Sequence, residues 1–190
     1  MAGMVSLHLL PMTYSQLIDA GTTEFDRMPY QADGGGVRVF EHGARWMRRR
    51  MNSLDNRTET ELDHATHYTV YGVLKYSCCI ITASVAGMEF YHLYFLLTPL
   101  AIVIFYCVEV HFLFLFPLIL DGARRPLLAS IRLTYRIGYV RALVMVMRLG
   151  GFMVAGLFNL KNPTRNWHIG CLAVIIWYQH EGRTRIYFPL

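Results

Sequence analysis

Charge is what this sequence has least of. Only 16% of its 190 residues are Asp, Glu, Lys or Arg, against roughly 25% in ordinary globular domains, and 54% are hydrophobic. Such a chain is too apolar for a disordered tail and oddly apolar for a domain with water on every side. Lysine is nearly missing too, since 16 of the 18 basic residues are Arg. The four cysteines, Cys78, Cys79, Cys107 and Cys171, are too few for a disulfide scaffold; all lie in hydrophobic runs and read as reduced core residues. Glycine shows no collagen period, and there is no chain-long heptad of a coiled coil. No secretory leader is expected, because Met1–Met12 lacks a basic start and its apolar run, Val5–Leu10, is interrupted by His8 and ended by Pro11.

The charge that is present falls in blocks. Residues 1–70 carry nine acidic and seven basic residues, which suits a water-facing N-terminal region. Residues 71–120 carry only Lys75, Glu89 and Glu109. Residues 121–190 carry ten basic and two acidic residues, an excess that points at an anionic surface. The adjoining apolar block selects phospholipid headgroups over nucleic acid.

Fifty helical residues would reach about 75 Å, more than twice a ~30 Å hydrocarbon core, so residues 71–120 cannot be one straight membrane helix. Two helices fit, broken between Glu89 and Pro99, where Glu89, His92, Thr98 and Pro99 welcome water or interrupt a helix. The expected fold is therefore a mainly α membrane protein built on a two-helix transmembrane hairpin, near Tyr71–Leu93 and Pro99–Leu120. Arg57 and Lys75 before the hairpin and Arg124, Arg125, Arg132 and Arg136 after it place both ends on the cytoplasmic side, or the matrix or stromal side of an organelle. Ala83 and Gly87 are small residues four apart, expected to pack against Phe105, Tyr106, Phe112, Phe114 and Phe116 of the second helix.

Amphipathic interfacial segments flank the hairpin. Phe40–Met51 mixes Trp46, Met47 and Met51 with Arg45, Arg48, Arg49 and Arg50, a pattern for lying on lipid with guanidinium groups on phosphates. Asp33–Gly36 reads as a turn, Glu59–His67 as a short acidic helix, and Asn56-Arg57-Thr58 as a glycosylation pattern on the wrong side of the membrane to be used. In residues 121–160, Pro126 suits a helix start, and Arg125, Arg132 and Arg136 fall within about 20° on one helical face. Arg141 and Arg148 fall elsewhere, and Gly138 between the two sets marks a bend. Residues 142–160 are apolar, yet Arg148, Gly150 and Gly151 at their centre favour an interfacial or re-entrant segment over a third span. In residues 161–190 the β-branched, aromatic run Ala173–Tyr178, the turn-like Glu181-Gly182 and Thr184–Phe188 predict a small β-hairpin.

Chemistry-bearing candidates are few. Glu109 and His111 sit in the second span, about 200° apart, so one neighbouring helix cannot shield both; another subunit, a cofactor or a further part of this chain must help. Hydrogen bonds to Thr82 or Ser84 are the plain reading. His92 or His111 could instead give an axial ligand to haem or chlorophyll. Glu89-x-x-His92 has the spacing of half a di-iron site and Cys107 with His111 that of two ligands on one face, but neither recurs. His64 and His67 could share a face with Asp63, without the further histidine pairs that a histidine-box centre needs. No glycine-framed serine elbow is present. The sequence thus points to a non-catalytic accessory or structural subunit of a larger membrane complex, acting through packing, anionic headgroups and partner subunits. The alternative is a haem- or chlorophyll-binding redox subunit, or a small membrane metalloenzyme, using His92, His111 and Glu109.

Overall fold

The structure, a computed structural model, describes residues 11–27, 39–55 and 67–183. The expected turn at Asp33–Gly36, the Asn56–Thr58 pattern, the acidic stretch before His67 and the Thr184–Phe188 strand lie outside them. The described residues form helices α1 (Tyr14–Arg27), α2 (Val39–Leu54), α3 (Tyr68–Leu93), α4 (Ala101–Glu109), α5 (Leu115–Leu120), α6 (Pro126–Ile137), α7 (Tyr139–Leu157) and α8 (Arg165–Trp177), with no strand among them.

Among the described residues three stretches are long and apolar enough to cross a membrane: Tyr68–Leu93, Phe95–Leu120 and Tyr139–Leu157. The first runs unbroken to Tyr94, whose extended backbone ends it. A 3-10 turn over Phe95–Leu100 contains Pro99, and the Thr98 hydroxyl donates to the Phe95 carbonyl at 2.7 Å, so the chain reverses close to where Pro99 and Thr98 predict. α4 then packs back along α3. Gly87 faces Ala101, small against small, where an aromatic partner was expected.

Three aromatics of the second stretch go elsewhere. Phe114 lies edge-on to Trp177 of α8, Phe116 stacks on Phe40 of α2, and the Tyr106 hydroxyl fills the space where a side chain at Gly150 of α7 would stand. The helix tightens to a 3-10 turn at Val110–Phe112 and loosens at Phe114, just ahead of Pro117, which has no N–H to donate into the preceding turn. The Val110 and His111 carbonyls instead accept from Thr134 Oγ1 at 2.9 Å and Ser130 Oγ at 2.7 Å, tying α6 to this bend.

α6 starts at Pro126, whose fixed φ suits a first helical position, and stops at Gly138, where φ is +105°. That backbone angle is one other residues rarely adopt, so the expected bend falls where glycine permits it. α7 then continues for 19 residues straight through Arg148, Gly150 and Gly151. Its unbroken length adds a third candidate membrane helix where two spans were expected. α8 returns antiparallel to it: Gly156 meets Asn166 and Gly170 meets Met153, while Gly21 of α1 approaches the Ile169 carbonyl from the other side. Ala173–Tyr178, expected as a strand, belongs to this buried helix and its wider terminal π-turn, Tyr178–Gly182. A continuous apolar run reads alike as a core strand or as a helix covered on all sides, and here the packing of α1 and α7 decides.

Candidate functional site

Lys75 and Glu109, two of the three charged residues in the long apolar block, form an ion pair. Lys75 Nζ stands 3.1 Å from Glu109 Oε1, with side chains only 10% and 16% exposed. The Lys75 ammonium also lies 5.3 Å from the centre of the Tyr76 ring. The pair replaces the hydrogen bonds to Thr82 or Ser84 expected for Glu109. From Lys75 to the end of α3 the helix rises a further ~27 Å, close to the thickness of a hydrocarbon core. The charges therefore sit at the root of the α3/α4 arm. A single buried charge costs several kcal/mol, whereas two opposite charges in contact offset much of that cost.

His111 turns to a different side. Its Nε2 lies 3.4 Å from the Tyr135 hydroxyl and its Nδ1 3.3 Å from the Val108 carbonyl. Tyr135 and Tyr139 stack on each other with centroids 5.6 Å apart, both rings pack on the imidazole, and the Tyr139 hydroxyl donates to the Cys107 carbonyl at 3.3 Å. A further part of the same chain thus covers each of these two ionisable groups: α3 for Glu109, and α6 with α7 for His111. His92 is exposed at the far end of the arm beside Tyr91 and does not approach His111. Among the described residues no three His, Cys, Asp or Glu side chains gather as metal ligands, and the four cysteines are free. Burial pushes the Cys171 thiol up to about 11, with the charges of Lys75 and Glu109 acting on it in opposite directions.

Two polar clusters close the end of the molecule opposite the arm's tip. Arg183 donates from Nε and Nη2 to the Asp121 carboxylate at 2.7 and 2.6 Å and from Nη1 to Asp55 at 2.5 Å. The Tyr178 hydroxyl donates to Asp121 at 2.7 Å, and Gln179 Nε2 to Asp55 at 3.1 Å. These hydrogen bonds outweigh burial and raise the Arg183 pKa. Beside them Arg141 grips both Glu181 oxygens at 2.6 and 2.7 Å and donates to the Met12 carbonyl at 2.8 Å. Burial pushes the Glu181 carboxyl up, but the bonds from Arg141 and the Met12 N–H outweigh it and hold the pKa below its ordinary value. Residues before the arm, after it and at the end of the described chain therefore meet in one place.

The expected lipid- or partner-facing arginines divide accordingly. Arg48 donates to the Leu120 carbonyl and Arg141 holds Glu181, so both guanidinium groups serve the chain itself. Next to Arg48, Arg50 is buried 3.7 Å from Glu24, and that burial lowers its pKa. Arg49, Arg125, Arg132, Arg136 and Arg148 are exposed. Of these, the guanidinium groups of Arg125, Arg132 and Arg148 make no hydrogen bond or ion pair with the described residues. On α6 the buried side is Pro126, Ser130, Leu133, Thr134 and Ile137, which leaves Arg125, Arg132 and Arg136 side by side facing outward with Leu128 and Tyr135 next to them.

Sequence reasoning misses the Lys75–Glu109 pair because Lys75, near the start of the apolar block, reads as a flanking topology signal. The available clue was that a chain reversing near Tyr94 brings position 75 within about one helical turn of 109. Comparisons with known protein families, with curated proteins and with solved structures find no match for this chain.

Proposed function

We propose that this chain is a non-catalytic structural or accessory subunit of a larger integral membrane complex. It inserts the α3/α4 arm as a two-helix hairpin and meets anionic headgroups and partner subunits through its outward arginines. One observation carries the reading: the ion pairs inside the molecule are made by the chain itself, while three outward arginines, Arg125, Arg132 and Arg148, have no charged partner among the described residues. Lys75 is answered by Glu109, Arg141 by Glu181 and Arg183 by Asp55 and Asp121. Such an arrangement leaves outward cationic groups for docking. Its membrane sidedness is supported by the Arg183 cluster, since a polar cluster joining both roots of the arm favours one side for both.

The haem, chlorophyll or metalloenzyme alternative has no comparable support. Both His111 nitrogens already face hydrogen-bonding partners, Lys75 engages Glu109, and His92 stands apart at the arm's tip. The purified protein should be colourless and free of stoichiometric metal; a visible absorption lost on His111→Gln would favour the alternative instead. The test of the proposal itself is joint replacement of Arg125, Arg132 and Arg136 by Gln. Association with vesicles containing anionic lipid should weaken by roughly 1 kcal/mol per residue, and recovery of the native complex should become more salt-sensitive. Unchanged binding and recovery across salt would refute it.

A further inference from the structure

α7 buries one side against α1, α4 and α8 and leaves the other open. Val140, Val144, Met147, Gly151, Val154 and Phe158 follow a 4-3-4-3-4 spacing, the repeat that sets one apolar seam along a helix for a neighbouring helix. Val140 and Phe158 at its ends are 70% and 82% exposed, and the others are exposed apart from the half-buried Met147. Neighbouring glycines separate the two sides. A side chain at Gly150 would collide with Tyr106, so its absence is explained within the chain. A side chain at Gly151 would meet nothing within 4 Å. An exposed mid-helix glycine lowers helix propensity, and no side chain among the described residues needs the space it leaves; four residues on stands the equally exposed Ala155.

Beside that seam lies Arg148, the central residue of the 19-residue helix. It is about 13 Å from either end, farther than its side chain can bridge to a headgroup if the helix crosses the bilayer. Resting on the subunit reading, we propose that this seam docks an apolar membrane helix of another subunit carrying Asp or Glu at the level of Arg148. Charge complementarity selects the occupant. A second copy of α7 would set Arg148 against Arg148 in either orientation, because the residue is central. A partner helix with a carboxylate completes the ion pair and lays its backbone over Gly151 and Ala155, where small residues permit close approach.

The test uses the full chain, fluorescently labelled at one terminus, in phosphatidylcholine vesicles with synthetic Leu/Ala-rich membrane helices as probes, association being read by energy transfer. The probes carry a central Asp, Leu or Lys. The Asp probe should associate about ten-fold more strongly than the Leu probe, and the Lys probe least. Arg148→Gln should bring the Asp probe within about two-fold of Leu, Arg148→Glu should move the preference to Lys, and Gly151→Leu should weaken the Asp probe with Arg148 intact. The wild-type probe comparison needs no variant to fold. Equal binding of Asp and Leu probes, an Asp preference that survives Arg148→Gln, or self-association stronger than probe binding would each overturn the proposal. So would an Arg148→Gln effect confined to anionic vesicles, which would make the face a lipid contact. A flat probe response while complex recovery still depends on the α6 arginines removes this surface and leaves the subunit reading. The reverse pattern removes that reading and leaves the surface.

Discussion

The arm and the base of this molecule obey opposite rules. Among the described residues 23 large hydrophobic side chains are exposed and 14 of them lie between Val70 and Ile102, so the arm presents apolar surface wherever it leaves the body. The base, where α1, α2, α5, α6 and α8 meet, hides its large side chains: Trp177, Tyr178, Phe114, Leu118 and Leu172 are almost fully buried. It also gathers the Arg183–Asp55–Asp121 and Arg141–Glu181 clusters. Water drives the second pattern and cannot tolerate the first over so large an area, whereas a bilayer imposes no cost on exposed Ile81, Val85, Phe95 or Leu96. The Lys75–Glu109 pair is a buried ion pair between the largely apolar α3 and α4, and it is there that a change in charge should do most damage.

Replacing Glu109 by Leu strands the Lys75 ammonium and should destabilise the protein by about 3 kcal/mol, read as thermal unfolding in detergent by circular dichroism. The double replacement of Lys75 and Glu109 by Leu should recover to within about 1 kcal/mol of the parent, because the loss comes from an unpaired charge. Glu109→Gln should cost less than Glu109→Leu, since an amide oxygen still accepts from Nζ. A double variant as unstable as the single one would show that the pair is no pair. The base should respond to acid instead. Because Glu181 is held below its ordinary value of 4.5, its contribution is present above that pH and disappears as pH falls through the lower, folded value. Glu181→Gln should be about 2 kcal/mol less stable at pH 7, and its curve should converge on that of the parent below pH 4.5. Parallel curves would contradict the assignment.

Much of this architecture was legible. Pro99 and Thr98 marked the reversal, Gly138 the bend, and the spacing of Arg125, Arg132 and Arg136 a common outward face, because each depends on local backbone geometry or helical period. What failed depended on tertiary contact. Ala173–Tyr178 looked like a strand because β-branched residues suit one, but burial between α1 and α7 made a helix the better use of them. Arg148, Gly150 and Gly151 weigh against a third span in residues 142–160, although Gly150 is a seat for Tyr106. Arg48 and Arg141 looked outward by composition, yet a backbone carbonyl at Leu120 and a carboxylate at Glu181, both distant in sequence, turn them inward.

The measurement that bears most directly on an arm inserted from a closed base is sidedness of labelling. In a variant whose four native cysteines are replaced, single cysteines at Thr13, His92 and Arg124, all exposed, would be treated with a membrane-impermeant maleimide in sealed vesicles. Thr13→Cys and Arg124→Cys should react from the same side and His92→Cys, at the tip, from the other. Reaction of Thr13→Cys and Arg124→Cys from opposite sides, or of all three from one side, would contradict the account.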